Sequence, residues 1–152
     1  GNDCKHIDGN PTTGASCPGQ SVDLWAGTTI TGTGSTTAAG YGNAWNGPDQ
    51  TCDETGTNNY QDHVYGITPH SNGTITVTVT PTGTGTKPNF MLSARSSCAD
   101  AATTTTCKND GSTGAVETMT IAAAANQKIF VAVDGGGITN NKGDYTISFK
   151  LQ

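Results

Sequence analysis

Hydrophobic and polar residues alternate with a period of two along several stretches of this chain. In residues 73–80 isoleucine and valine alternate with threonine, and in residues 144–150 aromatic and aliphatic side chains alternate with polar ones. Residues 128–133 are apolar on both sides of the alternation. The first two stretches therefore predict strands with one buried face, and the third predicts a central strand.

Further short strands are expected between clusters of Gly, Asn, Pro and Asp, which are the residues that form turns. Helix is not expected, because the longest alanine run, residues 122–125, is too short to nucleate one. The chain is thus expected to contain about eight short, regularly spaced strands, which is typical of an all-β antiparallel sandwich of jelly-roll type. The remaining strands are predicted at residues 21–25, 28–32, 62–67, 89–94 and 116–121.

Two segments lack a strand pattern. Residues 1–16 are interpreted as an extended N-terminal arm or linker, and residues 17–152 as the sandwich domain. Within that domain, about residues 33–59 form a long loop insertion rich in Gly, Asn and Thr. Loops of this length in a compact domain are usually functional or are pinned to the fold.

The composition of the chain argues against a membrane-spanning protein and against a nucleic-acid-binding protein. The chain has 152 residues and a formal net charge of −5, and only 12% of its residues are charged. It has 28 threonines and 21 glycines, so its surface is built largely from hydroxyl and backbone groups. The length fits one domain, and no apolar run is long enough for a membrane-spanning helix. The few scattered cations do not form the basic surface that nucleic acid requires.

Cysteine spacing indicates disulfides and not a metal cluster, because no C-x-x-C pair or zinc-finger spacing is present. Spacing favours a bridge only between Cys98 and Cys107, across a turn-compatible stretch, and leaves the other pairings open. Disulfides would indicate a secreted, extracellular or cell-surface protein. Cys4 is the expected odd cysteine, as a free thiol, an intermolecular link or the partner of a residue removed by processing. The five cysteines are Cys4, Cys17, Cys52, Cys98 and Cys107.

The order of several sequence blocks resembles the bacterial pre-peptidase C-terminal (PPC) domain family, in the version seen in large extracellular proteins of myxobacteria. The first blocks are CPGQ at residues 17–20, DHVYGITP at residues 62–69 and GTITV at residues 73–77. The resemblance covers about residues 17–150. The later blocks lie at residues 89–98, 107–110, 117–121, 131–135 and 143–147.

This resemblance implies a jelly-roll sandwich stapled by a Cys17–Cys52 and a Cys98–Cys107 disulfide. It also implies a secreted accessory module without catalytic activity, with relatives that bind calcium, collagen or polysaccharide. The chain departs from the family in its long insertion and in having no catalytic domain beside it. A stand-alone binding or structural role is therefore open as well.

Catalytic chemistry is not expected. His63 stands beside Asp62, but no Gly-x-Ser-x-Gly nucleophile turn accompanies them. His63 is interpreted as an outward-facing strand residue, and His6 and His70 as exposed residues of the arm and of a turn. The protein is therefore predicted not to be an enzyme.

A calcium site is a hypothesis for the acidic stretch that contains Asp49, Asp53, Glu54 and Asp62. Carboxylates in a loop rich in carbonyl and amide oxygens suit a hard cation that takes six to eight oxygen ligands. The resemblance to calcium-binding relatives adds to this hypothesis. The alternative is that these residues are solvated acidic side chains of a loop.

Aromatic residues supply a second binding hypothesis, because sugar rings stack on exposed aromatic faces. Trp45, between two asparagines of the long loop, is the first choice, with Tyr41 and Tyr60 near it in sequence. The alternative is that Trp45 packs the loop onto the sandwich. Trp25, at the end of a predicted strand, is expected in the core.

Together these patterns predict a noncatalytic secreted module for binding or presentation at the cell surface or extracellular matrix. Its expected partners are a polysaccharide or an extracellular protein surface. The alternative is a structural subunit of an extracellular filament or surface coat. Such a subunit would self-associate through residues 1–16, either by strand addition or through an intermolecular disulfide of Cys4.

Overall fold

A computed structural model of the chain describes residues 16–37, 62–109, 112–135 and 142–152, together with the backbone of residues 6–8. These residues form ten strands and one short 3-10 helix, which confirms the predicted all-β fold. The strands are β1 (His6–Asp8), β2 (Gln20–Leu24), β3 (Thr29–Ser35), β4 (His63–Pro69), β5 (Gly73–Pro81), β6 (Phe90–Arg95), β7 (Thr104–Lys108), β8 (Glu117–Ala123), β9 (Ile129–Gly135) and β10 (Asp144–Leu151), and the helix is Ala101–Thr103. All eight predicted strands are present, and β1 and β7 are additional.

The strands form two five-stranded sheets. Sheet I has the order β1-β3-β10-β5-β8, and sheet II has the order β2-β4-β9-β6-β7. Most neighbouring strands are antiparallel, whereas β1 pairs with β3 and β2 pairs with β4 in parallel. No helix among the described residues is both long and apolar enough to cross a membrane.

The core lies between the two sheets, where the period-two alternation of each strand points its apolar side chains. In β5 the buried positions are Ile75, Val77 and Val79, as the alternation predicts. Aromatic rings join the sheets: the rings of Tyr65 in β4 and Phe149 in β10 meet edge to face with centroids 5.2 Å apart. Burial of these rings and aliphatic chains is the main driving force for the fold.

The outer surface of sheet II carries a second apolar cluster around a disulfide. Val64 of β4 and Ala132 of β9 point outward, yet both are fully buried because Cys17 and Cys98 cover them. Cys17 and Cys98 are bonded to each other, with Cα atoms 5.7 Å apart. The disulfide thus shields the outer face of β9, which explains why this strand is apolar on both faces.

The predicted Cys17–Cys52 and Cys98–Cys107 pairings are wrong, because Cys17 bonds to Cys98. Cys107 is not in a loop closed by Cys98: it lies in β7, paired in register with Ser93 of β6. Cys98 lies beyond the end of β6, in the turn that folds back over the sheet. Cys107 is also disulfide-bonded.

Candidate functional site

Trp25 is a large apolar side chain that the fold leaves exposed. It directly follows β2, in which Val22 and Leu24 point into the core, so that the same alternation turns Trp25 outward. Its side chain is 52% exposed, and its expected place in the core is therefore wrong. The carbonyl of Trp25 accepts hydrogen bonds from the backbone N–H and the hydroxyl of Thr28, at 3.1 and 2.6 Å, which fix the turn.

His70 lies against Trp25 because β2 and β4 run in parallel. Leu24 and Pro69 are paired in register at the ends of these strands, so the residues that follow each of them become neighbours. The His70 N–H donates to the Leu24 carbonyl at 2.8 Å. The Trp25 and His70 rings are stacked with centroids 4.1 Å apart and planes 9° apart.

Asp23 holds the His70 ring in this position. Its Oδ1 atom lies 2.9 Å from His70 Nε2, and both side chains are partly exposed. Trp25, His70 and Asp23 together are called the aromatic platform below. With one indole face covered by His70 and half of the side chain exposed, the platform offers an open aromatic face beside a carboxylate.

Such an arrangement suits a ligand that combines an apolar face with hydrogen-bonding groups. Aromatic side chains gain most from partners that cover the ring while satisfying nearby polar atoms. The indole supplies the apolar contact, and Asp23 accepts hydrogen bonds from hydroxyl or N–H groups. Because His70 is already fixed by Asp23, the platform pays little additional conformational entropy when it binds.

A different polar cluster lies inside the sandwich. His63, the first residue of β4, is fully buried, so its interpretation as an outward-facing residue is wrong. It has the same parity as Tyr65 and Ile67, and all three point into the core. We refer to His63, Tyr65, Tyr145 and Gln20 as the buried histidine network.

The hydrogen bonds of this network fix the tautomer of His63. Nε2 lies 3.0 Å from Oε1 of Gln20, so Nε2 carries the proton and donates it. Nδ1 then accepts a hydrogen bond from the Tyr145 hydroxyl at 2.7 Å, and the Tyr65 hydroxyl lies 3.0 Å from that of Tyr145. Desolvation by burial lowers the pKa of His63 from 6.5 to about 3. The ring is therefore neutral at physiological pH and cross-links the two sheets.

The predicted site residues fall largely outside the described part of the chain. Asp62 is described, and its side chain is fully buried just before β4. Within the described ranges, no group of three or more His, Cys, Asp or Glu side chains is placed to hold a metal ion. The predicted residues outside the described ranges are Cys4, Tyr41, Trp45, Asp49, Cys52, Asp53, Glu54 and Tyr60.

A cleft of about 360 Å³ opens along the edge of the sandwich between β7 and β8. Its lining includes Arg95, Thr106, Thr120, Gln127 and Lys128. The Arg95 side chain is buried, and its guanidinium donates to the Cys98 carbonyl at 3.3 Å. Arg95 thus stabilises the turn that carries the disulfide, which gives it a structural role.

No family model and no curated protein matches the chain. Among solved structures it is similar to the pre-peptidase C-terminal domain of a collagenase from Bacillus anthracis, with 15% identity, a TM-score of 0.48, and coverage of 89% of this chain and 99% of that one. It is also similar to PliG, a periplasmic inhibitor of g-type lysozyme from Aeromonas hydrophila, with 10% identity, a TM-score of 0.40, and coverage of 88% and 98%. Membership of the PPC family, and of its myxobacterial version, stays a prediction.

Proposed function

We propose that this protein is a noncatalytic binding module that acts outside the cell, and that the aromatic platform contacts its ligand. The observation that carries the proposal is the exposed Trp25 ring stacked on His70. A single exposed apolar side chain is common on protein surfaces and does not by itself indicate a binding site. The Trp25 indole differs because it stacks on His70, which Asp23 holds in place, so the ring is preorganised for binding. The ligand class that fits it best is a polysaccharide, whose sugar rings have apolar faces edged with hydroxyl groups.

Two further observations support this proposal. The Cys17–Cys98 disulfide favours an oxidising compartment, since disulfides rarely persist in the cytosol. His63 does not favour catalysis, because its ring is fully buried and neutral and its two nitrogens are engaged by Gln20 and Tyr145. A general base has to come within hydrogen-bonding distance of the substrate proton that it abstracts, which the buried His63 ring does not do.

The test is sedimentation with insoluble cellulose, chitin and peptidoglycan, comparing wild type with Trp25→Ala. The wild type should bind at least one polysaccharide, and Trp25→Ala should weaken binding about tenfold or more, the usual effect of a central aromatic contact. Val116→Ala is the matched control, because Val116 is a comparably exposed apolar residue at 50%. Equal binding by wild type and Trp25→Ala would contradict a role for the platform.

The predicted contacts Trp45, Tyr41 and Tyr60 belong to the same proposal as a second contact surface. Trp45→Ala is compared with Trp25→Ala in the same sedimentation assay. A loss confined to Trp45→Ala would place the contact on the long loop. A loss confined to Trp25→Ala would place it on the aromatic platform.

Calcium binding through Asp49, Asp53, Glu54 and Asp62 also stays a proposal. Asp62 is a buried carboxylate at the start of β4, beside the histidine network. A cation bound there stabilises the folded state in proportion to its occupancy. Thermal unfolding in calcium and in chelator, for wild type and Asp62→Asn, tests this: a midpoint that calcium does not change in wild type would contradict it.

The alternative proposal is a filament or coat subunit that assembles through residues 1–16. The observation that favours it is the parallel pairing of β1 with β3 at the edge of sheet I. If β1 of one chain paired with β3 of a second chain, the two chains would be linked by the same contacts that β1 makes within one chain. Sedimentation velocity of wild type and of a variant lacking residues 1–15 tests it, because a monomeric wild type would contradict assembly.

A further inference from the structure

The outer face of sheet II carries further polar side chains beside the aromatic platform. Asp23 of the platform is paired in register with Thr68 of β4, which is partly exposed. Ile67 of β4 is paired with Ile129 of β9. The antiparallel register then places Lys128, which directly precedes β9, opposite Thr68. Asp23, Thr68 and Lys128 thus form a row across the outer face of the sheet.

Lys128 is exposed, but its aliphatic stem is held against the sheet. Gly66 of β4 has no side chain, and a Cβ atom there would lie 3.8 Å from Cδ of Lys128 and 3.7 Å from Cε1 of Phe130. The stem therefore packs over Gly66 beside the Phe130 ring. The backbone N–H of Asn126 donates to the Pro69 carbonyl at 2.7 Å, which also holds the chain that leads into Lys128. A lysine with a packed stem loses less conformational freedom when its ammonium group binds a ligand.

The surroundings of Lys128 favour an anionic partner. Among the described residues, no carboxylate lies within ion-pair distance of its ammonium group. Lys128 also borders the cleft of about 360 Å³, and the described residues that line this cleft include no Asp or Glu. An anionic group bound to Lys128 would therefore meet no carboxylate from that side.

Asp23 is the carboxylate of the row, and its position makes it a weak opponent of such a group. It lies two strands from Lys128, about 10 Å by the usual strand spacing, and its Oδ1 atom is already 2.9 Å from His70 Nε2. At physiological ionic strength the Debye length is about 8 Å, so repulsion from Asp23 is largely screened at that separation. Attraction by Lys128 acts at contact and is screened much less.

Building on the proposed function, we propose that the ligand of the aromatic platform is an acidic polysaccharide and that Lys128 binds its carboxylate groups. A sugar ring of the ligand stacks on Trp25, and hydroxyl groups of the same chain hydrogen-bond to Asp23 and Thr68. A carboxylate farther along the chain then meets the ammonium group of Lys128. Such a charge-assisted hydrogen bond is stronger than the contact that a neutral sugar hydroxyl would make there.

The test is isothermal titration calorimetry with polygalacturonate and with the same polymer after methyl esterification, which removes its charges and keeps its sugar rings. Wild type should bind polygalacturonate about two- to fivefold more tightly than the ester, which is the range expected for one exposed ion pair. Lys128→Gln should abolish this preference, and Lys128→Arg, which keeps the charge, should retain it. Trp25→Ala should weaken the binding of both polymers, because it removes the stacking contact that they share.

Lys150→Gln is the matched control, because Lys150 is an exposed lysine on the outer face of sheet I and its loss changes the net charge equally. It should leave both affinities unchanged. Equal affinity of wild type for the two polymers would overturn the acidic ligand and leave the platform's function intact. The same holds if wild type binds cellulose or chitin but neither polymer. A preference that Lys128→Gln retains, or that Lys150→Gln also loses, would overturn the role of Lys128. Wild type that binds no polysaccharide at all would contradict the proposed function itself.

Discussion

At the scale of single residues, His63 shows how the sandwich accommodates a polar side chain in its core. Burying a polar group such as an amide or a hydroxyl without hydrogen bonds costs roughly 2 to 7 kcal/mol, and an unpaired imidazole carries a penalty of the same kind. Here both ring nitrogens are engaged, by Gln20 and by Tyr145. Because Gln20 and Tyr145 come from different sheets, the network also specifies how the sheets are positioned relative to each other.

The lowered pKa of His63 predicts that acid destabilises the fold. A histidine with a pKa of 6.5 unfolded and about 3 folded binds a proton more readily when unfolded, so its contribution is fully present above pH 6.5 and lost as pH falls toward 3. Between about pH 7.5 and about pH 5 this amounts to roughly 2 kcal/mol of unfolding free energy. Urea unfolding at the two pH values measures it.

His63→Gln is the variant that isolates this contribution, and Val116→Ala, an exposed apolar position, is its surface control. The variant at position 63 should be less stable at neutral pH but should lose less additional stability in acid. Val116→Ala removes no titratable group and should respond to pH as wild type does. If His63→Gln and wild type lose equal stability between the two pH values, protonation of His63 is not the cause.

Gly34 is required by the position of the Tyr145 ring. It is paired with Tyr145 across β3 and β10, and a Cβ atom at Gly34 would collide with the ring carbon Cζ and the hydroxyl of Tyr145. Gly34→Ala should therefore displace the hydroxyl from His63 and destabilise the fold by about 1 to 3 kcal/mol, as overpacking of a core does. Thr146→Ala, at the next and exposed position of β10, should cost much less in the same urea titration. Equal losses would show that Tyr145 relaxes without strain.

At the scale of elements, the alternation of residues along the chain is enough to locate the eight strands that form most of both sheets. The same alternation also predicts the correct orientation of His63, which lies on the same side of its strand as the buried Tyr65 and Ile67. It likewise predicts that Trp25 is exposed, because the preceding Leu24 is buried. The two additional strands β1 and β7 have only 3 and 5 residues and lie at sheet edges, so neither is long enough to show a clear period-two alternation. Their sequences therefore look like those of loops.

Pairings between distant segments could not be predicted from local pattern. The stacking of Trp25 on His70 follows from the parallel register of β2 and β4, strands that lie far apart in the sequence. The Cys17–Cys98 bond likewise depends on two turns that meet above β4 and β9. Spacing along the chain favours the nearest cysteine, whereas the fold places Cys107 in β7 and packs Cys98 against Val64 and Ala132.

The Cys17–Cys98 disulfide should contribute several kcal/mol to stability. It joins residues 81 positions apart, and closing a loop of that length in the unfolded chain corresponds to about 4.5 kcal/mol in the chain-entropy model. Cys17→Ala with Cys98→Ala should lower the urea unfolding free energy by most of that amount. Ser16→Ala with Ser96→Ala, exposed residues close to the two bonded cysteines, is the control. A loss below about 1 kcal/mol would indicate that the unfolded chain remains compact without the bond.

At the scale of the whole molecule, the outer surfaces of the two sheets differ in their chemistry. The outward residues of β3, β10, β5 and β8 in sheet I are mostly threonines. Sheet II carries the platform at one end and the disulfide-covered cluster on its outer face. The hydrophobic core requires only the inward residues of each strand. The two outer surfaces are thus free to carry different binding chemistry on one scaffold.

Cysteine pairing limits how this molecule can assemble covalently. Cys17 and Cys98 are bonded to each other, and Cys107 is also bonded. Because each disulfide pairs two cysteines and the chain has five, we expect one thiol per chain to remain. A single thiol joins two chains at most, because each chain of a linked polymer needs two. Nonreducing mass spectrometry with sizing should therefore find monomers or disulfide-linked dimers and no covalent ladder. A ladder that disappears on reduction would show that the bonds rearrange between chains, and would restore a covalent filament as an explanation.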